Sequence, residues 1–134
     1  MRRTALLSLA ALAGALAATG AMAVQSRGLA ALSTLQKGMW QIRDLDNPGA
    51  RPIRLCLGDA RRLFNLHHRG LNCSVTVISD GPQDVTVRYT CPAEGFGQTD
   101  IHVETPRLAR ISSQGLLRGV PFALNGQARR IGSC

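Results

Sequence analysis

Four cysteines, three histidines and fifteen arginines carry most of the chemical potential of this chain. Cys56, Cys73, Cys91 and Cys134 stand 17, 18 and 43 residues apart. Zinc ribbons and dithiol redox sites need closely spaced Cys-x-x-Cys pairs, and none is present. An even cysteine count in a short exported chain reads instead as two disulfides. Bridged in this way, the cysteines leave no thiolate to act as a nucleophile.

Four cysteines allow three pairings, and hairpin geometry selects one. Ser74 to Ser79 and Val85 to Thr90 are rich in β-branched residues, and Asp80-Gly81-Pro82-Gln83-Asp84 between them is turn chemistry. A hairpin symmetric about Pro82 sets Val77 against Val87, Val75 against Tyr89 and Cys73 against Cys91. Directly opposed strand residues bring their Cβ atoms close to disulfide range. Cys73–Cys91 is therefore expected, with Cys56–Cys134 left by elimination. The alternation also sets Val75, Val77, Val85, Val87 and Tyr89 on a core face, with Ser74, Thr76, Thr86, Arg88 and Thr90 on a wet one and Ile78 the exception.

His67, His68 and His102 could in principle make an open three-imidazole zinc site. Adjacent residues point in different directions, however, and His102 lies between two acids on the polar face of its strand. Ordinary surface histidines are the preferred reading, and no metal or other cofactor is assigned. No Gly-x-Ser-x-Gly elbow is present. Asp100 and Glu104 are four strand positions apart, roughly 13 Å, too far for paired acid–base work. Gly95-Phe96-Gly97 is too short for a dinucleotide fingerprint and reads as a turn. No catalytic residue is assigned.

The basic residues total 16 against 8 acidic ones, for a formal charge of +8. Nucleic acid is the reflex partner of such a balance. An aromatic content of 4% is too sparse for base-stacking platforms, and the arginines are scattered among acids. Arg61, Arg62, Arg129 and Arg130 are retained as candidate contacts to an anion, whether lipid headgroup, lipopolysaccharide phosphate or acidic partner.

The elements that must position these residues are short. Met1-Arg2-Arg3-Thr4 is a basic n-region, Ala5 to Ala18 an apolar h-region and Ala21-Met22-Ala23 a small-x-small cleavage site. Residues 1–23 thus read as a signal peptide, too short to span a bilayer. Its removal takes Arg2 and Arg3 and lowers the charge to +6. Residues 24–36 read as a mobile or short helical segment, and 37–134 as a disulfide-stabilised β domain. In that domain Asp46-Asn47-Pro48-Gly49 and Ser112-Ser113-Gln114-Gly115 are turn signals, and Cys91 to Gly97 reads as a loop. Asn125-Gly126 is the strongest hairpin signal. Asp59 can cap a short helix whose ridge is Leu63 and Leu66. Trp40 and Phe122 are assigned to the core. Seven or eight short strands at 8–12-residue spacing predict a mainly β fold: one antiparallel meander, curved as a half-barrel or sandwich, with one short helix.

Gly38-Met39-Trp40, the Cys56-Leu57-Gly58-Asp59 segment, the Cys73 and Cys91 pair and the closing Ala128-Arg129-Arg130-Ile131-Gly132-Ser133-Cys134 occur together over residues 37–134. In these features the chain resembles a family of small exported proteobacterial proteins catalogued as a domain of unknown function. Lys37 departs from that family's Pro-Gly-x-Trp opening, and the stretch from Trp40 to Cys56 is short. The resemblance implies a signal peptide, a mainly antiparallel sheet and a periplasmic address; it implies no activity.

Together these readings describe a periplasmic or secreted, non-enzymatic envelope module, not membrane-spanning. Its expected partners are an anionic lipid, lipopolysaccharide or a small apolar ligand on a concave face. The rival is a small metal-binding or hydrolytic protein using His67, His68 or His102.

Overall fold

The computed structural model describes residues 29–134, so the expected signal peptide and residues 24–28 lie outside the described residues. Seven strands form one open antiparallel sheet: β1 Gly38–Asp44, β2 Ile53–Leu57, β3 Ser74–Asp80, β4 Asp84–Cys91, β5 Gly95–Thr105, β6 Leu108–Leu117 and β7 Val120–Gly132. A short helix, α1 (Ala30–Ser33), precedes them. Two 3-10 turns, Ala60–Leu63 and Leu66–His68, lie between β2 and β3. The mainly β class with a single short α-helix is as expected, and the sheet is not closed into a barrel.

The order across the sheet is β2-β1-β7-β6-β5-β4-β3. Only β3 to β7 follow one another as a meander; β1 adds to the far side of β7. The chain must therefore travel from one edge of the sheet to the other between β2 and β3. Residues 58–73 make this crossing and bring Leu63, Phe64 and Leu66 onto the apolar face of the sheet. These side chains, with Ala31, Leu32 and Leu35, cover Trp40, Ile42, Leu55, Leu57, Val85, Val87, Ile101, Ile111 and Leu124. Trp40 is fully buried, and its indole N–H donates to the Gln36 carbonyl at 2.9 Å. Asp59 caps the first 3-10 turn as expected, accepting from the Arg61 N–H at 2.9 Å.

The disulfides are Cys73–Cys91 and Cys56–Cys134, the connectivity expected from the hairpin register. Val75 pairs with Tyr89 and Val77 with Val87, and the register then shifts at a bulge before Ser79. Two intact disulfides indicate an oxidising, extracytoplasmic environment. Among the described residues no helix is long and apolar enough to cross a membrane.

Four local expectations are corrected. Asn125-Gly126 is not a hairpin turn but the middle of β7. There Gly126 pairs with both Ile111 and Asp44, and a Cβ would lie 3.0 Å from Ile42 Cγ2. Close packing, not chain reversal, is the reason for that glycine. The reversal sits instead at Arg118-Gly119, where both residues have positive φ (50° and 80°), as a two-residue hairpin turn with matching twist requires. Ser112 to Gly115 is continuous strand within β6, and Gly95-Phe96-Gly97 opens β5 after a tight turn at residues 92–94. Pairing on both sides outweighs the turn propensity of Ser and Gly at these positions.

The fourth correction concerns β3. All seven of its residues are exposed, Val75 and Val77 at 44% and 46%. Their alternation does set them on the core side, but the crossing segment does not reach this edge strand. Val85, Val87 and Tyr89 next to them are buried as expected.

Candidate functional site

The three histidines are not brought together. His102 is on the outer face, where its Nδ1 lies 2.7 Å from Asp84 Oδ1. His67 and His68 arrive on the opposite face with the second 3-10 turn. Among the described residues no group of three His, Cys, Asp or Glu is placed to hold a metal ion.

His68 is not the surface residue the sequence suggests: it is 1% exposed. Its ring packs edge-on against Tyr89 on β4 and Phe122 on β7, with centroids 5.2 and 5.6 Å away. Gly97, paired with Tyr89, leaves room for the Tyr89 hydroxyl, which would collide with a Cβ there. His68 Nε2 is 3.1 Å from the Leu116 carbonyl, which can only accept, so Nε2 carries the hydrogen. In the neutral ring Nδ1 then accepts from the Tyr89 hydroxyl, 3.2 Å away. Deeper in the core, the Thr99 hydroxyl donates to the Phe64 carbonyl at 2.6 Å and accepts from Ser113, 2.8 Å away. Phe64 and His68 of the crossing segment are thus tied separately, by buried bonds, to β5 and to β4 and β6. Burial pushes the Tyr89 phenol above its ordinary pKa. Both ring nitrogens of His68 are occupied, so this network acts as a structural lock. Thr99 and Ser113 escaped the sequence reading, though each occupies a core-side position of its strand.

His67 stacks on the half-buried Phe122, ring centroids 4.2 Å apart, and its Nδ1 is buried without a partner. Burial, and then the neighbouring His68, hold its pKa below the ordinary 6.5, against a smaller opposing pull from Asp44. The unfolded chain thus binds a proton more readily than the folded one. Stability from this group is complete above about pH 6.5 and declines as the pH falls below it. Urea titrations at a series of pH values are expected to show a shallower acid decline for His67→Gln than for the parent. Identical slopes would remove the assignment.

The candidate arginines separate by strand parity. Arg129 and Arg130 are adjacent on β7 and therefore face opposite ways. Arg129 lies on the outer face beside Gln41, Arg43 and Gln127. Arg130 lies at the Cys56–Cys134 corner, where its Nε donates to the Lys37 carbonyl at 2.8 Å. Arg62 reaches the same corner, donating to the Cys56 carbonyl at 2.5 Å. Arg61 stands on the rim of an adjoining cleft of about 450 Å³, between α1, the first 3-10 turn and the end of β2. Leu29, Leu32, Leu35 and Leu57 form the apolar wall of that cleft, and Lys37 and Arg61 its basic rim. Lys37 and Gly58 are shared with a second cleft of about 330 Å³ that ends at Arg130 and Cys134.

Lys37, Arg61, Arg62 and Arg130 therefore gather at one corner, with Asp59 the side-chain carboxylate among them. None of the four has a carboxylate within 4 Å among the described residues, whereas Arg110 is paired with Glu104 and Arg118 with Glu94. Asp59 is itself engaged in capping. The joined clefts offer an apolar wall at one end and uncompensated cations at the other. Lys37 was not among the expected contacts; only the tertiary fold carries it to Arg61 and Arg130.

Comparison of the chain with family models, curated proteins and solved structures gives no match. The corner cleft is therefore judged on its geometry alone.

Proposed function

We propose that this protein is a non-enzymatic binding module of the periplasm or cell surface, and that the corner cleft holds an anionic amphiphile by its head and the start of its chain. One observation carries the reading: a leucine wall continuous with Lys37, Arg61 and Arg130, none of which has a carboxylate within 4 Å among the described residues. Apolar surface supplies non-directional affinity, and the cations select the charged head. The interior of the sheet is filled by side chains, so the cleft replaces the concave face as the ligand site. An exported chain bearing a signal peptide over residues 1–23 would meet such molecules as envelope lipids or their fragments.

Binding of monomeric short-chain phosphatidylglycerol, followed by native mass spectrometry and by thermal shift, tests this. Dihexanoyl phosphatidylglycerol is expected to bind more tightly than the phosphatidylcholine of the same chain length. Lys37→Gln and Arg61→Gln are each expected to weaken it about fivefold, corresponding to about 1 kcal/mol per basic residue. Inorganic phosphate alone is expected to bind far more weakly, because it leaves the leucine wall unused. Equal affinity for the two lipids, or no loss in either variant, would defeat the proposal.

A further inference from the structure

From the exposed edge of the sheet we infer a second interaction surface: β3 pairs antiparallel with β3 of a second copy of this chain, in a register centred on Thr76. The argument starts from the Cys73–Cys91 bridge. Its Cα atoms are 4.1 Å apart, the close spacing of a non-hydrogen-bonded antiparallel pair. Two residues along, Val75–Tyr89 and Val77–Val87 are pairs of the same kind. The backbone N–H and C=O groups of Val75 and Val77 thus point away from β4, out of the free edge. Their side chains, on the core side, are 44% and 46% exposed, and Ile78 at the bulge is 53% exposed.

Natural edges are guarded against such pairing by prolines, cationic side chains or cover. β2, the other edge, has Pro52 before it, carries Arg54, and has the Arg54 carbonyl taken by Arg69 Nη1 at 3.4 Å. β3 carries no proline and no cation, and among the described residues the only strand it pairs with is β4. Its sequence is self-complementary. Centred on Thr76, Val75 of each copy faces Val77 of the other with outward backbone groups matched, and Thr76 faces its own equivalent as a non-hydrogen-bonded pair. β-branched and Thr–Thr cross-strand pairs are among the favourable ones. The segment also ends before the bulge, so the shift at Ser79 does not disturb it.

An antiparallel sense suits a second copy, because in-register parallel pairing would set Asp80 against Asp80. The strip short of the bulge, Val75 to Val77, is roughly 10 Å long and one strand wide. That is less than the roughly 800 Å² per partner of a standard stable interface, so the dimer is reversible and concentration-dependent.

The test uses the disulfide-bonded protein in sedimentation velocity over a wide concentration range. The parent is expected to rise from monomer to twice the monomer mass, and Val77→Lys to remain monomeric throughout. Because Val77 is half exposed, this variant keeps its fold, checked by an unchanged thermal midpoint. Thr76→Cys is expected to form a covalent dimer under mild oxidation, and Ser79→Cys is not. A parent that is monomeric at every concentration would overturn the inference. So would a dimer that survives Val77→Lys, or one in which Ser79→Cys cross-links in preference to Thr76→Cys.

Discussion

Replacing Cys56 and Cys134 together by serine is expected to lower folding stability by about 4.5 kcal/mol, against about 3 kcal/mol for the Cys73 and Cys91 pair. The bridges close loops of very different length, with separations of 78 and 18 residues. In the chain-entropy model the longer loop restricts the unfolded ensemble more. The native structure adds a reason of its own. β2 is a five-residue edge strand paired only with β1, and the Cys56–Cys134 bond ties it to the end of β7. Since a domain of this size has only about 5–15 kcal/mol in total, the double serine variant is left marginal. Urea denaturation of both double variants beside the parent measures the difference. A smaller loss from the long-loop pair than from the short one would contradict the ordering.

His68→Ala is expected to cost about 3–4 kcal/mol, while His67→Ala costs under about 1 kcal/mol. The two histidines are neighbours in sequence, yet their surroundings differ. Loss of the His68 ring strands the Tyr89 hydroxyl and the Leu116 carbonyl, both of which it bonds, and opens a cavity between Tyr89 and Phe122. An unpaired buried polar group costs about 1–3 kcal/mol, and the void adds to it. His67 loses a stacking contact with Phe122 and releases a buried nitrogen that had no partner, effects that largely offset one another. Equilibrium unfolding of the two single variants checks this, with near-ultraviolet circular dichroism reporting Tyr89. Equal losses would show that the bonds His68 makes to Tyr89 and Leu116 do not stabilise the fold.

The legible parts of the fold were those in which local pattern and tertiary environment agree. In β4, β-branched alternation and burial coincide, and the register through Val77 and Val87 carries the disulfide pairing with it. The Asp59 cap and the Leu63 and Leu66 ridge were readable for the same reason. Asn125-Gly126 misled because its local preference is for a reversal, whereas β6 on one side and β1 on the other hold it extended. The corner cleft was half legible: Arg61, Arg62 and Arg130 stood out as arginines, but Lys37 did not. The adjacent pair Arg129 and Arg130 looked like one patch until strand alternation sent them to opposite faces.

By itself, then, the sequence determined a β-rich chain, the pairing of its four cysteines and the hairpin that aligns two of them. All but the Cys56–Cys134 bond, which follows by elimination, are short-range properties, set by side-chain period and turn chemistry between neighbouring strands. The tertiary structure alone decided that β1 docks on β7 and that residues 58–73 must cross the sheet. From that crossing follow the burial of His68, the gathering of Lys37 with three arginines, and the uncovered edge of β3. The physical reason is that each depends on which distant strands become neighbours, and burial and charge clustering are properties of that neighbourhood, not of any local segment.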